Sequence, residues 1–250
     1  LTATQKTVAA GANLVSFLRG DGTNETRAGV PVANQLYRSR DHVLGDVVDG
    51  APVYVKSIKS SYTDAGFASP AGANFKECVN SGGVGCTGIL SGGPRGATVY
   101  VAANDGMLHA FNGDTGAERW AYIPNILIPN LYRLADTDYA NHHQYYVDGS
   151  PTVGDIYDPV AAKWKTILVG GLGAGGRAYF ALDITDPNTP IGLWEFNVRA
   201  TASCPSGAFV PNSTDDCDLG FTFGNPIITK LGNGSWVVVV TSGYNNVSPG

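Results

Sequence analysis

Short apolar runs alternate with turns rich in glycine, proline and asparagine along most of the chain, and three segments repeat the same order. Each segment opens with a proline that leads into a strand-like run, at Pro52, Pro151 and Pro226. Proline is tolerated at the first residue of a strand, because its missing N–H is then not needed for pairing. The pattern therefore predicts three repeats that each begin with a strand.

A hairpin is predicted after each opening strand. In the first repeat, the runs 98–103 and 107–111 flank Asn104, Asp105 and Gly106. An Asp-Gly pair between two short apolar runs predicts a type I′ turn. The corresponding runs are 166–169 and 177–182 in the second repeat and 236–241 in the third.

A turn and a tryptophan-containing strand end the first two repeats, at 118–123 and 193–198. Each full unit is thus predicted to hold four antiparallel strands, and radial repetition of such sheets is the plan of a β-propeller. We expect an all-β fold, a partial β-propeller of about two and a half blades, with units at about 46–125, 146–198 and 220–250. Propellers commonly have roughly 4–8 blades, so we expect a fragment of a longer ring, which would also account for the absence of a signal peptide.

An N-terminal helix is predicted ahead of the first repeat, in a lead-in segment at 1–45. Thr2 and Gln5 have the spacing of a capping box, and the apolar positions that follow fall on one helical face. Those positions are Val8, Ala12, Val15 and Leu18. We expect this helix to cover 2–18.

Composition and charge narrow the class of protein. The chain has 33 Gly, 14 Pro and only 15% charged residues, which is typical of an all-β fold with many turns. Its net charge of −5 and scattered basic residues argue against a nucleic-acid partner. No apolar run approaches the roughly 18 residues that cross a membrane.

Four cysteines form two pairs that are close in sequence, Cys78 with Cys86 and Cys204 with Cys217. Each pair lies in a polar insertion, at 57–94 or 200–219. Because the C-x₂₋₄-C spacing of thiolate metal sites is absent, we expect two local disulfides that pin these loops, with other pairings left open. Disulfides indicate an oxidising compartment.

Several short motifs resemble catalytic or ligand-binding sites, but the residues around them do not support those functions. The glycines at 171–176 match a dinucleotide-binding pattern, but a strand rather than a helix is predicted after them. His142 and His143 are adjacent, so on a strand they would point to opposite faces and could not easily share a metal. The acidic stretch 21–25 does not follow the calcium-loop pattern, and no serine-nucleophile motif occurs. We expect no catalytic, cofactor or metal residues in this segment.

Arg19, Gly20 and Asp21 form the tripeptide that many integrin ligands display. A cation and a carboxylate on either side of a flexible glycine can bridge an acidic receptor pocket and its metal ion. The alternative is that Gly20 ends the first helix, for which glycine is the preferred residue. These three residues are the candidate receptor-binding site.

Two tryptophans belong to a recognisable pattern. Residues 110–116 (AFNGDTG) followed by Trp120 resemble the A-x-D-x-x-T-G-x-x-x-W docking motif of quinoprotein-type propellers, with Asn112 in place of Asp. Residues 181–183 (ALD) with Trp194 are a second, interrupted copy. The resemblance implies that Trp120 and Trp194 dock neighbouring blades, because an indole buries a large flat area and its N–H can bond to the next blade's backbone.

The chain as a whole is similar to the C-terminal propeller of the PilC/PilY family of type IV pilus-associated proteins. The similarity lies in 17–21 (FLRGD), 37–46 (YRSRDHVLGD), 104–111 (NDGMLHAF), 146–151 (YVDGSP) and 242–245 (SGYN). It implies a role in pilus biogenesis, with export through the periplasm to the outer-membrane surface or the extracellular pilus tip. It also implies contact with minor pilins, host or surface adhesion through residues 19–21, and a calcium loop beyond residue 250.

The leading hypothesis is a non-enzymatic biogenesis factor and tip adhesin. The alternative is a periplasmic quinoprotein dehydrogenase of the PQQ type, in which an adjacent cysteine pair typically stacks on the quinone; no adjacent cysteines occur here. A third interpretation is a scaffold lipoprotein with a quinoprotein-like propeller.

Overall fold

The structure, a computed structural model, describes residues 11–69, 74–90, 93–197 and 219–244. Strands dominate these residues and helices are short. The strands are β1 (Val53–Val55), β2 (Thr98–Ala103), β3 (Met107–Asn112), β4 (Glu118–Tyr122), β5 (Thr152–Asp158), β6 (Lys163–Gly171), β7 (Ala178–Asp183), β8 (Ile191–Asn197), β9 (Ile227–Lys230) and β10 (Trp236–Val239). The helices are α1 (Ala12–Leu18) and α2 (Phe75–Ser81), with 3-10 segments at Val32–Asn34, Asn125–Ala135 and Tyr139–Asn141.

The strands form two four-stranded antiparallel sheets, in the orders β1-β2-β3-β4 and β5-β6-β7-β8, and a β9-β10 hairpin. Each strand thus pairs with its neighbour in sequence, as the repeat predicted. The prediction of a type I′ turn at Asn104–Gly106 is wrong. Ala103 pairs with Met107 across three residues, and only Gly106 among them has a positive φ, at 91°, whereas type I′ needs two such residues.

The two four-stranded sheets share the same irregularity at the same place. Ala110 pairs with Trp120 in the first sheet, and the register shifts directly after Ala110. Ala181 pairs with Trp194 in the second, and the register shifts directly after Ala181. A bulge bends its strand and increases the local twist, and each tryptophan stands beside the bulge at the equivalent position of its sheet.

Helix α1 is shorter than predicted. It begins at Ala12 after Gly11, whose φ is 79°, while the predicted capping residues Thr2 and Gln5 lie outside the described residues. Leu14 and Phe17 form its buried side, whereas Val15 is 55% exposed although its spacing placed it on the apolar face. The buried side is set by packing against Tyr37 and Ala135.

The largest apolar core lies between the two four-stranded sheets. It joins Tyr100 and Leu108 of the first sheet with Leu168 and Phe180 of the second. The 3-10 segment Asn125–Ala135 connects the sheets and adds three leucines to the same core, namely Leu127, Leu131 and Leu134. The connection between the repeats is therefore itself part of the packing that holds them together.

The first insertion is packed rather than projecting. Phe67 and Phe75 contact Trp164 of β6, with ring centroids 4.6 and 6.3 Å away, and the Trp164 indole donates to the Ala65 carbonyl at 3.0 Å. The predicted Cys78–Cys86 disulfide is confirmed. The second predicted pair, Cys204 and Cys217, lies outside the described residues. The first insertion thus covers the second sheet.

Candidate functional site

The Arg19-Gly20-Asp21 tripeptide lies where α1 ends. Gly20 has a φ of 101°, and its N–H donates to the Phe17 carbonyl at 2.9 Å, so it closes the helix as a C-terminal glycine does. Arg19 and Asp21 are both exposed on either side of it. The helix-ending role and the receptor-binding role are therefore compatible, because the same turn places both charges in solvent.

The Asp21 carboxylate is held by its own turn. One of its oxygens, Oδ1, accepts hydrogen bonds from the backbone N–H of Thr23, at 2.8 Å, and from the Thr23 hydroxyl. These bonds, the hydroxyl first, lower the pKa of Asp21. Thr23 therefore favours the ionised carboxylate and fixes its direction.

A buried ion pair lies beneath this turn. Arg40 Nε donates to Glu25 Oε1 at 2.8 Å, and the two side chains are 6% and 3% exposed. The same guanidinium stacks on the Phe17 ring at 3.6 Å. Sequence reasoning missed this pair, since the two residues are 15 apart in irregular segments and no spacing rule connects them.

A second polar cluster surrounds His109 on β3. Its Nδ1 lies 2.6 Å from Glu118 Oε1, and its Nε2 lies 2.9 Å from Asp105 Oδ2. Burial alone lowers the pKa of His109, but the hydrogen bonds and charges of Asp105 and Glu118 outweigh it and raise the pKa. Only the imidazolium can donate from both ring nitrogens, so the geometry fits the protonated form.

His109 lines a groove of about 1030 Å³ between α1, the lead-in segment and β3–β4. Most of the groove wall is apolar, with Leu18, Met107 and Ile123 among its residues. The carboxylates flank opposite sides of the ring, so they do not converge on one point. In the described part of the chain, no three His, Cys, Asp or Glu side chains are arranged to hold a metal ion.

The other candidate motifs are separated in the structure. His142 lies 3.1 Å from Asp138, whereas the neighbouring His143 lies 3.1 Å from Asp46. The glycine-rich segment 171–176 connects β6 to β7, so a strand follows it instead of the helix that a dinucleotide site needs.

The two motif tryptophans are both half-buried. The Trp120 indole Nε1 donates to the Pro187 carbonyl of the second sheet's β7–β8 turn at 2.8 Å, and its ring packs beside Tyr100 with centroids 5.7 Å apart. Trp194 packs against the small cluster of Ile167, Val169 and Ala181. Trp120 thus forms a direct polar contact between the sheets.

Comparison with known proteins identifies the family of this chain. Residues 44–250 match the family described as the PilY1 β-propeller domain. The chain belongs to this family. The resemblance to pilus-associated propellers seen in the sequence is therefore confirmed, and with it the all-β, partial-propeller fold.

Relatives in this family are pilus proteins by name. The chain is 36% identical over 241 residues to the type IV pilus biogenesis factor PilY1 homolog of Xylella fastidiosa, covering 94% of this chain and 14% of the relative. It is 34% identical to PilY1 of Pseudomonas aeruginosa strain PAK, covering 95% and 18%. A crystal structure of the Pseudomonas aeruginosa PilY1 C-terminal domain is 39% identical over 61% of this chain and 26% of that one, with a TM-score of 0.45.

The chain therefore spans less than a fifth of the length of these curated relatives. Among the residues described, no helix is both long and apolar enough to cross a membrane. Arg19, Gly20 and Asp21 stay a predicted receptor site, and blade docking stays the predicted role of Trp120 and Trp194.

Proposed function

We propose that this chain is the propeller portion of a non-enzymatic type IV pilus biogenesis factor that also serves as a tip adhesin. Its membership of the PilY1 propeller family is the observation that carries the proposal. Its relatives are named for pilus biogenesis. In this proposal the protein is exported through the periplasm, acts at the pilus tip or outer-membrane surface, and binds minor pilins there.

A strain that lacks the gene is expected to lose surface pili, and the full-length protein is expected to restore them and to co-purify with minor pilins. Wild-type pilus numbers in the deletion strain would contradict the biogenesis role. Quinone absorbance, or dye-linked alcohol oxidation by the full-length protein, would contradict the non-enzymatic part. We propose that the calcium site of the protein lies outside this segment.

We propose further that Arg19, Gly20 and Asp21 bind a surface or host receptor of the integrin type. The exposure of both charged side chains and the ionised Asp21 support this role. Such a receptor binds the carboxylate through a metal ion, so the negative charge is essential.

The substitution Asp21→Asn tests the receptor proposal, since an amide oxygen can still accept the Thr23 bonds while the charge is lost. It is expected to abolish attachment to an immobilised integrin ectodomain in the presence of Mg²⁺. Asp41→Asn is the matched control, because Asp41 is also exposed in the lead-in segment. Equal attachment by both variants would refute the receptor role.

A further inference from the structure

The turn that carries the tripeptide is tied to the protein by one buried side chain. Arg40 donates from Nη1 to the Phe17 carbonyl at 2.8 Å and from Nη2 to the Asp21 carbonyl at 3.3 Å. These carbonyls lie on either side of Arg19 and Gly20. A single guanidinium therefore spans the tripeptide from beneath and leaves its exposed face free.

Glu25 fixes that guanidinium in place. Its Oε1 accepts from Arg40 Nε at 2.8 Å, and its Oε2 accepts from the Arg40 backbone N–H at 3.3 Å. Glu25 is 2% exposed, so its charge is compensated by Arg40 with additional support from Arg27 at 3.5 Å. A planar guanidinium with several fixed donors suits this arrangement, whereas a lysine ammonium could not reproduce it.

Val43 packs against the tripeptide at Gly20. A Cβ atom at Gly20 would lie 3.0 Å from Val43 Cγ1, so the glycine packs closely on the lead-in segment that also carries Arg40. The φ of 101° at Gly20 also favours glycine, so a larger residue there would be strained and would crowd Val43. The turn at 19–23 is thus bonded to Arg40, which Glu25 holds, and packs closely on Val43.

We propose that Arg40 and Glu25 are positioning residues that hold the Arg19-Gly20-Asp21 turn in the shape a receptor binds. This inference rests on the receptor role proposed above. The physical reason is preorganisation: a turn that is already ordered loses less conformational entropy on binding, which raises affinity without any new contact.

The test compares Arg40→Lys with Arg38→Lys in the whole chain. Arg38 is a matched control because it too stacks on an aromatic ring, Tyr139 at 4.6 Å, and donates to a backbone carbonyl, that of Leu134 at 2.5 Å. Its contacts lie away from the tripeptide. Arg40→Lys is expected to weaken binding to an immobilised integrin ectodomain by about tenfold, the factor expected when the turn is ordered in only about a tenth of the molecules, and Arg38→Lys to leave it unchanged.

Amide hydrogen exchange separates positioning from a general loss of stability. Arg40→Lys is expected to accelerate exchange at Gly20 and Asp21, whose N–H groups bond to Phe17 and Ser16 carbonyls, while amides of β2 and β3 stay protected. Equal loss of binding in both arginine variants, or unchanged exchange at the turn, would overturn the positioning role. If wild type binds and Asp21→Asn binds equally well, the receptor proposal itself fails, which is a distinguishable result.

Discussion

The contact between the two four-stranded sheets can be tested at Trp120. Replacing it by phenylalanine keeps an aromatic ring on β4 but removes the indole N–H that donates to the Pro187 carbonyl. A net intramolecular hydrogen bond contributes about 1 kcal/mol, and the smaller ring loses about 0.5–1 kcal/mol of apolar burial at this half-buried position. We therefore expect Trp120→Phe to lower the free energy of unfolding by about 1.5–2 kcal/mol, measured by urea denaturation of the chain.

Trp194→Phe is the matched control for this prediction. Trp194 stands at the same position of the second sheet, after the same register shift, but no hydrogen bond of its Nε1 is found within residues 11–69, 74–90, 93–197 and 219–244. It is therefore expected to lose only the burial contribution, so the two variants should differ by about 1 kcal/mol. Equal destabilisation at both sites would refute the argument that the Pro187 bond stabilises the packing of the sheets.

Three further predictions concern stability. Serine at both Cys78 and Cys86 is expected to cost about 2–3 kcal/mol in the chain-entropy estimate for so short a loop; equal urea midpoints with and without reductant would contradict it. Because the pKa of His109 is raised, its stabilising contribution is full below the ordinary histidine pKa and is lost as the pH rises through the folded-state pKa. His109→Gln should remove this loss of stability, and an unchanged dependence of the free energy of unfolding on pH would refute the prediction. Burial raises the pKa of Asp148, whose Oδ2 is buried without a partner among the described residues. Its ionised form therefore disfavours folding, and stability should rise as the pH falls through the folded-state pKa. Asp148→Asn should raise the melting temperature at pH 7, and a lower melting temperature would contradict this prediction.

The strands of this fold could be predicted because their signals are local. The run 98–103 predicts strand β2 with its full bounds, since an apolar run bounded by turn residues has few alternatives. The turn that follows could not be assigned correctly from Asn104, Asp105 and Gly106 alone. Asn104 is engaged from outside the hairpin: its Nδ2 donates to Asp46 and its Oδ1 accepts from the Tyr146 N–H. Tertiary contacts of this kind leave no local trace in a sequence.

The helix shows the same limit in another way. Its apolar positions continue with helical spacing on both sides of Gly11, so the pattern alone does not reveal a start at Ala12. Which side is buried depends on Tyr37 and Ala135, residues that are distant in sequence. The candidate site shows the same difference. The tripeptide is recognisable as a sequence motif, whereas the contacts that Glu25 and Arg40 make beneath it are not.

The contacts between successive repeats are only partly repeated, and Asp148 forms one that the next junction lacks. Where the first repeat meets the second, which we call the first junction, side chains of the second repeat accept hydrogen bonds from backbone N–H groups of the first. Asp49 N–H donates to Asp148 Oδ1 at 3.2 Å, and Ala51 N–H donates to Ser150 Oγ at 2.9 Å. The third repeat has Phe223 and Asn225 at those two positions. A phenylalanine cannot accept such a bond.

The second junction uses a neighbouring residue instead. Thr222 Oγ1 accepts from the Leu172 N–H at 2.8 Å and donates to the Ala178 carbonyl at 3.0 Å. A neutral hydroxyl that both donates and accepts achieves the link without burying a charge, whereas Asp148 carries the desolvation cost of a carboxylate. Because an asparagine at 148 would keep the acceptor for Asp49 and lose that charge, the cost at the first junction is a property of residue 148 and not of the repeat geometry.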